Sequence, residues 1–183
     1  MISIIRATEK NYRSIVDIGK VSVEETHRES TSVENMTEYI KTNYNDNAIR
    51  EEVNDPQNIY HIINYNKTAV GFSKIVLNAV HPDIVAENVT KLDRIYLLKE
   101  FQGLKLGLEL LNFNIELAIN NNQSGIWLYT WTGNNNAVKF YLKAGFKIIG
   151  SHKFFVTEKH YNLNHHMFLD FPESTGKRKP QQD

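Results

Sequence analysis

The order of apolar and polar positions divides the chain into strand-like and helix-like stretches. Residues 2–7, "ISIIRA", read as a first strand. Thr8 then caps a helix that carries Ile15, Val16 and Ile18. Val33, Met36, Tyr39 and Ile40 recur at helical spacing and predict a second helix near residues 33–44. Residues 45–58 are polar, end in "DPQN" and show no clear period. Residues 59–63 and 69–77 read as the strands of a hairpin that turns at "NYNK". Pro82 punctuates the next connection, and "KLDRIYLL" follows as another strand. Between residues 104 and 120, apolar side chains at 104, 108, 111, 115 and 118 make one helical face, which 106, 110, 113 and 117 widen. A stripe that wide predicts a helix well covered by its neighbours.

The second half continues in the same manner. "SGIWLYTW", residues 124–131, is a strand. "GNNNAVKFYLKAGF" is a short helix: Asn134 caps it, Ala137, Phe140, Tyr141 and Ala144 share a face, and Gly145 stops it. "FKIIGS" and "HHMFLDF" close the fold as two strands. This reading gives about seven strands and about four helices in one α+β domain over residues 1–171. The polar stretch 172–183 has no period and predicts a disordered tail.

Composition narrows the function classes. The chain has 183 residues, enough for one domain with a full core. It carries 21 basic and 21 acidic residues, so it lacks the basic excess that a nucleic-acid coat needs, and no nucleic-acid partner is expected. It has no cysteine, which excludes disulfides, thiol nucleophiles and cysteine-based metal sites. No apolar run approaches the roughly 20 residues of a membrane helix, and "MISIIRATEK" is charged too early for a secretory signal. No membrane partner is expected, and cytoplasm is the expected location. The seven histidines show no zinc spacing; His165 and His166 point to opposite faces of a strand, and no metal is expected.

The candidate chemistry begins with "EFQGLKLG", residues 100–107, between a strand and a helix. Glycines at such a seam let backbone N–H groups approach a ligand. The first helical turn adds unpaired donors and the positive end of the helix dipole, which together favour an anion. The spacing matches neither a Walker A loop nor a full GxGxxG. Read alone, the two glycines serve a tight turn equally well.

A second stretch follows about thirty residues later. "NNNAVKFYLKAGF" carries Asn134, Ala137, Phe140, Tyr141, Gly145 and Phe146 in the pattern N-x-x-A-x-x-F-Y-x-x-x-G-F. With Gln102 and Gly107 in the earlier loop, this resembles the GNAT superfamily of N-acetyltransferases, whose phosphate loop reads Q/R-x-x-G-x-G/A. Lys105 departs from that pattern, standing where the first loop glycine belongs. The resemblance spans about residues 2–171, with its specific part at 92–150. It implies a single-domain fold with a central mixed, mostly antiparallel twisted sheet.

The resemblance also implies a site. The co-substrate is acetyl-coenzyme A, its pyrophosphate held by N–H groups of Gln102, Gly103, Leu104, Lys105, Leu106 and Gly107. Ile95, Tyr96 and Leu97 offer the strand edge for the pantetheine arm. Asn134 matches the family's cofactor-contacting asparagine, and Lys143 is a candidate for a coenzyme A phosphate. Tyr141 matches the general acid that protonates the departing thiolate. A phenol near pKa 10 does so for a thiol near 8.5 only with help from its surroundings. The base is open: Asp93 lies on the strand, alternating to the face of Ile95 and Leu97, and Glu24, Glu25, His27 and Glu29 lie where the acceptor site forms. A water chain is the further alternative. "GSHKFF" resembles bacterial polyamine acetyltransferases and places His152 near the acceptor.

The leading expectation is therefore acetyl transfer to the primary amine of a small molecule, polyamines first. A non-catalytic acyl-coenzyme A binding or regulatory module, a protein N-terminus or an antibiotic as acceptor, and a different phosphate ligand stay open. Homodimers are frequent in the family, and the aromatic C-terminal strands are the candidate pairing face.

Overall fold

A computed structural model describes residues 1–171. The expectation for 172–183 lies outside the described residues. One seven-stranded sheet organises the chain, in the order β1-β2-β3-β4-β5-β7-β6. The strands are β1 (Ile2–Arg6), β2 (Ile59–Tyr65), β3 (Thr68–Val76), β4 (Val89–Leu97), β5 (Gly125–Trp131), β6 (Lys147–Thr157) and β7 (His160–Asp170). The helices are α1 (Tyr12–His27), α2 (Val33–Asn43), α3 (Asp46–Asn54), α4 (Leu106–Asn120) and α5 (Asn135–Lys143).

The sheet separates two cores. On one face, α1, α2 and α3 pack Ile15, Val16, Met36 and Ile49 against Tyr60, Ile62, Phe72 and Tyr96. On the other, α4 and α5 pack Leu111 and Tyr141 against Leu92, Ile126, Leu128 and Met167, while Leu106 and Leu110 meet Ile63 and Val70. Leu106, Leu110 and Leu111 are essentially inaccessible. Each such side chain contributes about 1.5–3 kcal/mol of burial, which fixes the start of α4 against the sheet.

Several expectations change. The described residues form five α-helices where about four are expected, because residues 46–54 form α3, capped by Asn45 Oδ1 accepting from the Ala48 N–H at 2.9 Å. Only Ile49 of that helix is fully buried, too sparse a signal for periodicity to register. Val33 does not share the buried face of Met36; it is 75% exposed at the first helical position. The first hairpin turns on Asn66 and Lys67 alone, both at positive φ, the conformation of a two-residue primed turn. The last two strands are longer than their apolar runs and join in one hairpin through His152↔Asn164 and Thr157↔His160.

Two features of β4 shape the site. It pairs with β5 in parallel only from Val89↔Gly125 to Lys91↔Trp127, whereas it stays on β3 as far as Leu97↔Gly71. Beyond Lys91 the two strands part, and the edge of β4 is left without a strand partner on that side. The β3 register also runs Lys74↔Arg94 and then Ile75↔Leu92, so Asp93 is an extra, bulged residue. Asp93 is thereby turned away from the face of Ile95 and Leu97, contrary to simple alternation, and joins Lys74 and Arg94.

Candidate active site

Where β4 and β5 part, a cleft of about 2080 Å³ opens. Its wall comes from the end of α1, from β4, from the loop before α4, from α5 and from β6.

The loop is built to bind through its backbone. Residues 99–101 form one 3-10 turn, closed by the Gln102 N–H on the Lys99 carbonyl at 3.1 Å. Gly103 (φ 81°) and Lys105 (φ 62°) then take left-handed conformations, and α4 begins at Leu106. The N–H groups of Leu108 and Glu109 return to the Lys105 carbonyl at 3.0 Å. The five consecutive N–H groups of Gly103, Leu104, Lys105, Leu106 and Gly107 have no acceptor among the described residues. A run of free donors on a helix N-terminus suits a phosphate. The expected cradle is thus corrected at one end: the Gln102 N–H is spent within the loop, although the residue lines the cleft. The Leu106 side chain belongs to the core, so that residue offers only its backbone.

The other predicted residues converge on the same cleft. Ile95, Tyr96, Leu97, Gln102, Gly103, Lys105, Gly107, Asn134, Tyr141 and Lys143 all line it. Leu104 does not, and its side chain is half exposed. Asn134 is the N-cap of α5, its Oδ1 accepting from the Ala137 N–H at 3.0 Å, which leaves its amide nitrogen for other partners. Tyr141 is 7% exposed, wedged edge-on between Phe140 and Phe146. Burial raises its pKa well above the ordinary tyrosine range, and the nearby Tyr96 raises it further. The phenol is kept in its protonated form.

The candidate bases fare differently. Burial opposes ionisation of Asp93, but Lys91, Lys74 and Arg94 outweigh it and hold the carboxyl below its ordinary range. Its oxygens lie 2.6 Å from Lys91 Nζ and 3.2 Å from Lys74 Nζ. Lys74 also reaches Glu52 at 2.7 Å, and Glu52 bonds Arg94 at 2.9 Å and the Tyr60 hydroxyl at 2.6 Å. This closed network reaches the cleft wall at Lys91, Asp93 and Arg94, and it makes Asp93 a poor proton acceptor. Glu52 sits on α3, which the sequence pattern does not reveal, so its pairing with Lys74 and Arg94 is not legible from the sequence. Glu25, His27 and Glu29 line the cleft; Glu24 instead reaches Arg28 at 3.9 Å on the surface. Burial pushes the His27 imidazole down to about 4, beside Trp131. His152 also lines the cleft, stacked on Tyr129 with ring centroids 4.2 Å apart.

A run of free N–H groups, an unpartnered strand edge and a buried phenol thus meet at one cleft. Residues 21–146 match the acetyltransferase (GNAT) family, and the chain belongs to that family. It is an N-acetyltransferase with acetyl-coenzyme A as its co-substrate. Among relatives, it is 26% identical over 153 residues to the uncharacterised N-acetyltransferase in pepI 3′ region of Lactobacillus delbrueckii subsp. lactis, covering 84% of this chain and 88% of that one. Its fold resembles the PaiA N-acetyltransferase of Thermoplasma acidophilum in complex with coenzyme A (TM-score 0.75, 18% identity, 93% of this chain and 99% of that one). An N-acetyltransferase from Staphylococcus aureus is similar as well (TM-score 0.71, 20% identity, 93% and 97% coverage). No helix among the described residues is long and apolar enough to cross a membrane.

Proposed function

We propose that this chain acetylates the primary amine of a small molecule, with polyamines first among acceptors, by direct attack within a ternary complex. The observation that carries the reading is Tyr141 on the wall of the cleft that Gly103, Lys105 and Gly107, from the run of free N–H groups, also line. When bound, acetyl-coenzyme A supplies an activated thioester. Gly103 to Gly107 hold its diphosphate through backbone N–H groups, and Lys105 adds a positive charge there. The unpaired edge of β4 from Ile95 to Leu97 receives the pantetheine amides, and an N–H of that edge polarises the acyl carbonyl. Asn134 and Lys143 contact the same ligand from α5.

The deprotonated amine forms the new C–N bond as the C–S bond breaks. Tyr141 donates its proton to the departing sulfur and recovers one from solvent. The amine's own proton leaves to water in the cleft rather than to Asp93, whose oxygens are committed to two lysines. A polyamine fits the acceptor end because Glu25 and Glu29 supply carboxylates and Phe154 and Phe155 apolar contact for methylene spacers.

The test is a screen of amines that follows thiol release from acetyl-coenzyme A, with spermidine, spermine, amino sugars, amino acids, N-terminal peptides and aminoglycosides. Spermidine or spermine is expected to give the highest kcat/KM. A Glu25→Gln, Glu29→Gln double variant is expected to raise the KM for them about two- to tenfold, as loss of exposed charge pairs does. Turnover confined to another amine class overturns the polyamine reading. Coenzyme A binding with no turnover on any amine overturns catalysis in favour of a binding module.

A further inference from the structure

Three residues that share no sequence motif meet on the sheet face that also carries Trp127 and Tyr129. His81 and Asp83 belong to the connection between β3 and β4, and His166 lies in β7 opposite Tyr129. Asp83 Oδ2 is 3.8 Å from His81 Nδ1 and 3.6 Å from His166 Nδ1. One ligand atom from each residue lies within 4.8 Å of the other two. We propose that His81, Asp83 and His166 bind one divalent transition-metal ion, Zn²⁺ by the chemistry of its donors.

Geometry supports the proposal. A tetrahedral ion with bonds of about 2.0–2.1 Å sets its donors about 3.3–3.4 Å apart, so the two Asp83 distances need to close by only a few tenths of an ångström. His166 is the stronger observation. It is 1% exposed, and neither ring nitrogen has a hydrogen-bond partner among the described residues. A core imidazole with both nitrogens unpartnered by protein groups is rare and leaves its nitrogens available to a water or an ion.

His81 is prepared in the same sense. Its Nε2 lies 2.6 Å from the Tyr129 hydroxyl, and its Nδ1 accepts from the Asp83 N–H at 3.2 Å. Nε2 therefore carries the hydrogen, and the Nδ1 lone pair is turned toward Asp83. A metal-binding histidine whose other nitrogen is held by an outer partner has this arrangement. The ion would take Nδ1 in place of the weaker N–H contact.

Two imidazoles and one carboxylate favour zinc and its neighbours over calcium or magnesium, which prefer all-oxygen shells. Asp83 is 58% exposed, so the fourth position opens to water. The ion would fasten the β3–β4 connection to β7. Tyr129 carries that restraint to the cleft, since it lines the wall, bonds His81 and stacks on His152. The role is a structural tie behind the acceptor end, independent of which amine is acetylated.

The experiment titrates the full chain, cleared of metal with a chelator, with ZnCl₂ by calorimetry and with CoCl₂ by visible absorption. One Zn²⁺ per chain and a four-coordinate cobalt spectrum are expected. With zinc a hundredfold above its Kd, Tm should rise by roughly 5–10 °C. Asp83→Ala and His81→Ala should each weaken binding by at least about tenfold. The neighbouring His165→Ala should leave it unchanged. Circular dichroism of each variant separates lost ligation from lost fold, and Asp83 is exposed enough for its replacement to fold. Absence of stoichiometric binding overturns the proposal, as does equal affinity in Asp83→Ala and wild type, which would place the ion on surface histidines.

Discussion

The Asp93 carboxylate lies 2.6 Å from the Lys91 ammonium, on the bulge where β4 turns from β5 toward the cleft. Asp93 is thus a fixed anion of the framework, and its replacement tests structure more than chemistry. Asp93→Asn should cost about 1–3 kcal/mol of stability, because Lys91 and Lys74 lose a charged acceptor in a mostly buried setting. Its folded pKa is lowered, so this contribution is present above the unfolded value near 3.9 and fades as pH falls through the folded one. Urea unfolding at neutral pH measures the loss. The acid limb of kcat/KM against pH should remain in the variant. Its disappearance, with a fall of about 10²-fold or more, would make Asp93 the base after all.

Tyr141 carries the opposite expectation. Tyr141→Phe keeps the ring between Phe140 and Phe146 and removes only the hydroxyl. We expect kcat to fall about 10²–10⁴-fold, with coenzyme A affinity and Tm nearly unchanged. Because burial raises the phenol's pKa, the wild-type rate should climb with pH as the amine deprotonates and show no decline from phenol ionisation below about pH 10. A steady-state pH profile with both proteins reads this directly. Equal kcat in the two would remove Tyr141 from the mechanism.

Two buried histidines should make stability fall on the acid side of neutrality. His61 is buried against Phe113, and burial, with Arg6 nearby, pushes its imidazole down to about 4; His27 is held down to about 4 by burial alone. Between the unfolded value near 6.5 and about 4, the unfolded chain binds protons that the folded chain refuses. Stability should therefore decline as pH falls through that window, by about 1–3 kcal/mol in all after allowance for partial solvent access. Urea midpoints at pH 7.5 and 4.5 measure it. His61→Gln should flatten the dependence; an unchanged slope would show that other groups govern it.

Much of this architecture was legible because its signals are local. The Asn134 cap, the Gly145 stop, the wide stripe of α4 and the glycine-flanked loop each depend on residues a few positions apart. The elements that escaped depend on distant partners. α3 holds its place through Ile49 and the Glu52–Arg94 pair, 42 positions apart, not through its own pattern. The bulge at Asp93 exists only relative to β3, so alternation within β4 put its side chain on the wrong face. His81 and His166 are 85 positions apart and become neighbours only when the β3–β4 connection folds over β5 and β7. The motif places Gln102 in the cradle, yet a three-residue turn that no motif encodes uses its N–H first.

Lys105 is where the chain departs from its family's pattern, and two substitutions separate the consequences. Its φ of 62° is a left-handed conformation that costs a residue with a β-carbon roughly 1–2 kcal/mol, part of which glycine returns as unfolded-state entropy. Lys105→Gly should therefore stabilise the fold by about 0.5–1 kcal/mol. Lys105→Ala keeps the β-carbon and should leave stability unchanged. Both remove an exposed charge beside the anion cradle, worth at most about 1 kcal/mol, so both should weaken coenzyme A binding by up to about fivefold, and less at high salt. Glycine frees the backbone to settle around the ligand, so Lys105→Gly should bind at least as well as Lys105→Ala. Calorimetry of coenzyme A at two ionic strengths, with Tm for each variant, resolves charge from strain. Tighter binding by both variants than by wild type would mean that the lysine obstructs the loop it caps. Unchanged binding in both would mean that the backbone donors alone hold the diphosphate.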